Sequence, residues 1–414
     1  MVTCQPEIAS PAVKTILFVG AGRHQRRAIR HAKTLGFRVV AADRNPEAPG
    51  FSEADEGEVA DFDVSTLAEI GRKHSVDGVV TVASDRAVPV VAAVAEKLGL
   101  PGIGGETAHR ITHKVAMRRC LAEAGVEQPE FAAVRTLHEG KDALATVGLP
   151  AVLKPADSAG QRGVFLLRSV DDLESHLHAA LAESSHEEAI VESFHEGLEV
   201  NGLVVTRDGE PEVVTLSDRL RPNGAGFGVA LAHVYPSTLF GDRLEEAERV
   251  AARAVRAVGL RDGVAYPQLL VTSEATLLIE VAARVPAGQM DQVALRAVGV
   301  DLVSIALRQA VGETIADGEI RPQFQQPLAI SFLTSAPGAL PVGRVRSVTG
   351  LERLRAFPGV VEAELFLRPG DSIGPVRRDG DRKGYVIALG DTSLEALERA
   401  QAAATLLDVE VEPE

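Results

Sequence analysis

From Lys14 onward the apolar positions fall into short blocks separated by stretches of helical spacing. Thr15–Val19 is a compact apolar run that ends in Gly20-Ala21-Gly22. Over His24–Leu35 the apolar residues Ala28, Ile29, Ala32 and Leu35 recur on one helical face, and Gly36 stops the helix. Arg38–Ala42 then reads as a second strand ending at Asp43, Gly78–Val82 as another, and Val88–Leu98 as a further helix. Strands alternating with helices predict a doubly wound parallel sheet for this first region, which closes near Gln128-Pro129.

The pattern changes after that. Ala151–Lys154 and Gly163–Leu167 flank a polar, glycine-containing loop, Ala156–Arg162, and a helix follows from Asp171 to about Ala182. Ala189–Val191 leads into Glu192-Ser193-Phe194. Alternating strands dominate next: Val200–Thr206, Glu212–Leu216, Ala265–Thr272 and Thr276–Val281, interrupted by the helix Arg243–Val258. This is α+β patterning on antiparallel sheet. Beyond about Gln326 the chain is strand-rich again (Leu328–Thr334, Val342–Ser347, Val360–Leu367, Tyr385–Leu389) and closes with a helix from Ser393 to about Leu407.

Composition narrows the class. With 414 residues, 45% hydrophobic and 24% charged, the chain can bury cores without staples. Its formal charge of -15 disfavours nucleic acid or an anionic membrane as partner, since both call for an extended basic patch. Cys4 and Cys120 are the only cysteines, which leaves no disulfide framework or Cys-based zinc site and makes a cytoplasmic home the simplest reading. The first residues lack the basic start and apolar run of a signal peptide, and no apolar stretch reaches the roughly 18 residues of a membrane span.

Four clusters carry candidate chemistry. Gly20-Ala21-Gly22 after a strand, with Asp43 further on, has the outline of a dinucleotide turn, although Gln25 stands where a third glycine belongs; a purely structural turn accounts for it equally well. Lys114 begins a helix, and Lys154 ends an apolar strand ahead of Pro155. A charge there is costly without a partner, and a polyphosphate covered by the loop Asp157–Gly163, with Ser158 and Gly160, is such a partner. Glu192-Ser193-Phe194, followed by Glu199, can present backbone groups to a base and a carboxylate to ribose, or be an ordinary acidic hairpin. Strand alternation puts Glu280, Ala282 and Arg284 on one face, where a carboxylate could hold Mg²⁺ and a guanidinium could stabilise developing negative charge, or the two could simply pair.

From about Lys14 to Gln309, the order of these clusters resembles the ATP-grasp superfamily. The segments around Gly343-Arg344-Val345, Phe357-Pro358-Gly359-Val360 and Gly384–Ala388 are similar to the closing domain of its L-amino acid ligases. The resemblance implies residues 1–13 as a flexible extension and 14–129 as an N-terminal α/β domain. It implies 130–325 as the ATP-grasp domain, with a lid over about 137–196, and 326–414 as a small C-terminal α+β domain. It further implies ATP contacts from Lys114, Lys154, Ser158, Gly160, Glu192, Ser193, Phe194 and Glu199. Arg284 and Lys154 would be catalytic, while His233, Arg284 and Gly288 would face the substrate. Glu280 and Gln268 would hold one or two Mg²⁺ ions, with Mn²⁺ as a substitute. The implied reaction joins a carboxylate to an amine through an acyl phosphate, in a homodimer. Gln268 and Ala282 depart from the family pattern, where a carboxylate and an asparagine commonly bind metal. A carboxylase or purine-pathway ligase of the same fold, a nucleotide-binding protein without turnover, and a nicotinamide-dependent oxidoreductase built on Gly20, Gly22 and Asp43 are the alternatives.

Overall fold

The computed structural model describes residues 13–222 and 225–412; the expected extension at residues 1–13 lies outside them except for Val13. The chain opens with β1 (Thr15–Val19), α1 (Arg23–Thr34), β2 (Arg38–Asp43), β3 (Glu56–Val59), α2 (Val64–Lys73), β4 (Gly78–Val80) and α3 (Val88–Leu98). The four strands form a parallel sheet in the order β3-β2-β1-β4. Every residue of β1 is buried, as expected of a strand covered on both faces. Helix α1 lays Ala28, Ile29 and Ala32 against this sheet, with Gln25 buried beside them.

Helices α4 (Gly105–Thr112) and α5 (Lys114–Glu123) lead into a second, smaller layer. It comprises β5 (Phe131–Val134), α6 (Leu137–Val147), β6 (Ala151–Pro155), β7 (Phe165–Leu167), α7 (Val170–Ala182) and β8 (Ala189–Ser193). The sheet is antiparallel in the order β5-β8-β6-β7, with its own core of Val134, Leu144, Leu153, Leu173, Leu177 and Val191. Capping boxes at Thr136 and Ser169 start its two helices.

The third layer is an eight-stranded antiparallel sheet. Its first strands are β9 (Leu198–Arg207), β10 (Glu210–Leu220) and β11 (Ala232–Tyr235), followed after α8 (Asp242–Ala257) by β12 (Gly263–Val271) and β13 (Thr276–Ala282). Then come β14 (Leu328–Phe332), β15 (Gly343–Thr349), β16 (Val360–Leu365), β17 (Ser372–Ile373), β18 (Gly384–Leu389) and β19 (Asp408–Glu412). The order is β13-β12-β9-β10-β11-β14-β18-β16, so three strands from beyond residue 326 continue the central sheet. Strands β17, β15 and β19 make a separate three-stranded sheet. Helix α8 covers one face of the large sheet through Ala247, Val250, Ala251, Ala254 and Val255.

One core links the first layer to the third: Ile16, Phe18 and Val39 join Leu203, Val205, Ile330 and Ile387 through the helix Leu302–Ala310. The backbones approach closely at Gly78, where a Cβ would stand 2.6 Å from the Ala310 carbonyl oxygen. Gly78→Val should therefore overpack this junction and lower unfolding stability by about 1–3 kcal/mol, read as a lower urea midpoint. An unchanged midpoint would show that the junction tolerates the added volume.

Candidate active site

Lys154 is the penultimate residue of β6, its side chain is 14% exposed, and its Nζ lies 2.5 Å from Glu192 Oε2 on β8. The other oxygen of Glu192 accepts from Arg118 Nε at 2.7 Å. Arg118 is completely buried, and its remaining nitrogens donate to the carbonyls of Leu278 and Ile279 on β13, both at 2.7 Å. Burial alone would raise the Glu192 carboxyl, but Arg118 and Lys154 outweigh it and hold the group at about 2. Lys114, the first residue of α5, donates to the Ser158 carbonyl at 2.5 Å. Burial lowers its ammonium from the ordinary value against the pull of Glu280.

Lys114, Lys154 and Glu192 line a cavity between the small and large sheets, with Val152, Leu269, Leu270 and Ile279 as apolar walls. All the expected nucleotide residues reach it: Lys114, Lys154, Ser158, Gly160, Glu192, Ser193, Phe194 and Glu199, together with Gln268 and Glu280. Two side-chain oxygens, Ser158 Oγ and Asn201 Oδ1, are buried along it without hydrogen-bond partners. The Ser158–Gln161 loop closes over the lysines, and Gln161 packs against Gly228, leaving about 110 Å³. Ligand pockets typically measure ~300–1,000 Å³, so an occupant of nucleotide size requires the loop to lift.

Two details differ from the sequence expectation. The N–H groups of Ser193 and Phe194 already donate to the carbonyls of Glu130 and Pro150, so the first hinge N–H beyond them that is not so engaged is that of His195. The Glu192 side chain is engaged by Arg118 and Lys154, so it positions the lysine instead of facing a base. Glu199 is also held, by Arg219 and by Arg221 Nη2 at 2.5 Å, but a carboxylate has lone pairs to spare for a further donor.

A second cavity, about 420 Å³, adjoins the first and shares Ala159, Gly160, Gln161, Arg219, Gln268 and Glu280 with it. Strand register explains the meeting point. Glu280 opposes Gln268, Gln268 opposes Asn201 and Asn201 opposes Ser217 in one polar row, while Arg219 opposes His233 two residues further along β10. His233, Arg284 and Gly288 all line this second cavity. His233 Nδ1 lies 2.9 Å from Asn201 Nδ2. Burial, with the charges of Arg219 and Arg382, keeps the imidazole pKa well below the ordinary value and therefore the ring neutral.

Arg284 is gripped by Asp85 of the first layer, Nε to Oδ1 at 2.8 Å and Nη2 to Oδ2 at 2.7 Å. Burial would lower this guanidinium's pKa, and Asp85 reverses the direction. Glu280 has no ion-pair partner among the described residues and faces both cavities, the chemistry expected of a carboxylate kept for a cation.

The glycine turn is occupied by its own chain. Asp43 Oδ2 accepts from the Ala21 N–H at 2.8 Å, and Oδ1 accepts from the Asn45 N–H at 2.9 Å. Gln25 fills the turn and donates to the Val82 carbonyl at 2.7 Å. A ribose on Asp43 would have to compete with both amides.

Sequence reading did not single out Arg118, Asp85, Arg219 or Arg382. Arg118 did leave a signal: it sits three positions from both Val115 and Leu121, on the buried stripe of its helix.

With this geometry in hand, the molecule is of a class that encloses a nucleotide between two sheets beside a second substrate cavity. Three family models match the chain. Residues 113–317 match the carbamoyl-phosphate synthase L chain ATP-binding domain, 29–102 the ATP-grasp N-terminal domain, and 339–412 the L-amino acid ligase C-terminal domain 2. Together the three models span most of the chain, which belongs to the ATP-grasp superfamily. Among relatives, an uncharacterized protein (y4rH) of Sinorhizobium fredii is 29% identical over 95% of this chain and 81% of its own length. A formate-dependent phosphoribosylglycinamide formyltransferase of Burkholderia mallei is 27% identical over 95% of both. The chain spans only about a third of the length of the carbamoyl phosphate synthase large chains it matches. Among solved structures, an L-amino acid ligase from Bacillus licheniformis superposes with a TM-score of 0.83 at 20% identity, covering 96% of this chain and 99% of that one. A Hydrogenobacter thermophilus 2-oxoglutarate carboxylase biotin carboxylase domain, solved with MgADP, gives 0.76 at 18% identity over 96% and 90%.

The buried Glu192 pairs predict a pH signature. With a folded value near 2 against an ordinary 4.5, the stability it contributes is complete above about pH 4.5 and is lost as pH falls towards 2. Urea unfolding free energy should drop through this window more steeply in the wild type than in Glu192→Gln, by on the order of 2–3 kcal/mol. Parallel slopes would contradict the pairing.

Proposed function

We propose that the chain is an ATP-dependent carboxylate–amine ligase that joins an amino acid or similar carboxylate to an amine, passes through an acyl phosphate, and releases ADP and phosphate. The observation that carries this reading is the junction of the two cavities at Glu280, Gln268 and Arg219, with the two lysines on one side and Arg284 on the other. The match of residues 339–412 to an L-amino acid ligase domain favours an amino-acid substrate over bicarbonate or formate.

The donor set suits ATP with Mg²⁺: one carboxylate (Glu280), two amide oxygens (Gln268, Asn201) and the orphaned Ser158 hydroxyl, alongside Lys114 and Lys154. Bound there, ATP would supply the phosphoryl group and Mg²⁺ would offset its negative charge, with Mn²⁺ able to take the ion's place. Lys114 and Lys154 hold phosphates, Glu280 and Gln268 hold one or two ions, and the apolar slot beside the His195 N–H takes the base. Arg284, aimed by Asp85, and His233, kept neutral, orient the carboxylate so that its oxygen meets the phosphorus in line. The lowered loop then keeps water from the activated carboxylate until the amine attacks. A cytoplasmic homodimer is part of the same proposal, and no described helix is long and apolar enough to cross a membrane.

A coupled ADP-release screen over pairs of amino acids should give turnover that requires Mg²⁺, a carboxylate and an amine together. Glu280→Gln should lower the rate by about 100-fold or more, while Gln268→Glu retains or raises it. Formate- or bicarbonate-driven ADP release, with amino acids inert, would replace this reading by a purine-type ligase or carboxylase. ATP binding with no turnover on any pair would leave a nucleotide-binding protein.

A further inference from the structure

The substrate cavity carries more positive charge than an α-amino acid needs. It is lined by six arginines against three carboxylates, Asp85, Glu280 and Asp379. Arg284 is neutralised by Asp85 and Arg219 by Glu199, and Arg162 lies 3.6 Å from Glu183. Arg382 reaches Asp379 Oδ1 at 2.7 Å, as an ion pair off the hydrogen-bonding axis. That leaves Arg23 and Arg86 without a carboxylate among the described residues, at the end of the cavity formed by the first layer.

The positive groups also crowd one another. Arg382 has a side chain 13% exposed and its guanidinium lies 4.0 Å over the Phe332 ring. Arg23 sits 4.7 Å over Phe366, and His24 meets the same ring edge-on at 6.2 Å. Burial lowers His24, and Arg23 and Arg382 push it further down from opposite walls. Arg382 is itself lowered by burial, and Arg219 adds to that against the pull of Asp379. His24 and Arg382 are thus both disfavoured as cations here, as happens where like charges crowd one another, whereas Glu199 and Asp85 hold Arg219 and Arg284 the other way. Arg23 opens α1, whose first turn holds no acid and whose Gly22 cap offers no side-chain acceptor, so the helix dipole adds to the same potential.

We infer that the activated substrate carries a second anionic group, a side-chain carboxylate or a phosphate ester, which docks between Arg23, Arg86 and Arg382 while its reacting carboxylate lies by Arg284 and Glu280. This rests on the ligase reading for which carboxylate reacts, but it concerns binding and is testable without turnover. Two aromatic-backed guanidinium planes favour a flat or tetrahedral anion over an ammonium or an aliphatic side chain.

The test is calorimetric titration of the full chain, saturated with Mg²⁺ and a non-hydrolysable ATP analogue, with L-glutamate, L-aspartate, O-phospho-L-serine, L-glutamine and L-leucine. At least one dianion should bind roughly tenfold or more tightly than glutamine or leucine, with a preference that weakens as salt rises. Glutamate against phosphoserine decides between carboxylate and phosphate. In Arg23→Gln the gap should shrink several-fold while analogue binding is unchanged, and Arg86→Gln serves as a second variant should the first misfold. Glutamine or leucine binding as tightly as every dianion, or no dianion binding at all, overturns the inference. Dianion binding without ADP release on adding amines would sink the ligase reading and leave this one standing.

Discussion

A carboxylate removed from water must be matched by cations that are themselves held, and Glu192 is the point where this chain meets that demand. Arg118 and Lys154 take its two oxygens, and Arg118 is fixed in turn by the carbonyls of Leu278 and Ile279. One buried network thus connects the helix after the first layer, the hinge strand and phosphate-loop strand of the small sheet, and the edge strand of the large sheet. Breaking such a network by removing one partner costs far more than an exposed pair would, because the remaining charges stay buried. The nucleotide cavity keeps its shape because its walls are anchored to this cluster.

Function then follows from how two sheets meet. The small sheet contributes Lys154 and the closing loop, and the large sheet contributes the row Glu280, Gln268 and Asn201 with the pair Arg219 and His233 beside it. The first layer reaches into the site through Asp85 and Arg23, and the C-terminal segment through Phe366, Asp379 and Arg382. Four parts of the chain therefore converge on one junction. Apolar strands build the walls, while a surplus of arginine sets the potential at the substrate end.

Much of this was legible in the sequence where a single element carried the signal. The parallel strands, the Lys154 strand with its loop, and the strand bearing Glu280 are local patterns, and the last two line one cavity. The continuation of the large sheet by β14, β18 and β16 was not legible, because pairing between strands far apart in sequence, such as Ala232 with Ser331, leaves no mark on local periodicity. The same limit hid Asp85: its partner Arg284 lies 199 positions away, and a lone aspartate after a strand looks like a turn residue. Asp43 shows the converse. Its spacing from Gly20 fits a ribose-binding acid, yet local amides take its oxygens, a competition that spacing cannot reveal.

The central claim is that a substrate carboxylate oxygen attacks the terminal phosphorus of ATP. It is tested most directly with a carboxylate substrate labelled in both oxygens with heavy oxygen, by mass spectrometry of the phosphate and amide after turnover. Activation through an acyl phosphate predicts one labelled oxygen in the released phosphate and one retained in the amide. Unlabelled phosphate accompanying amide formation would contradict it.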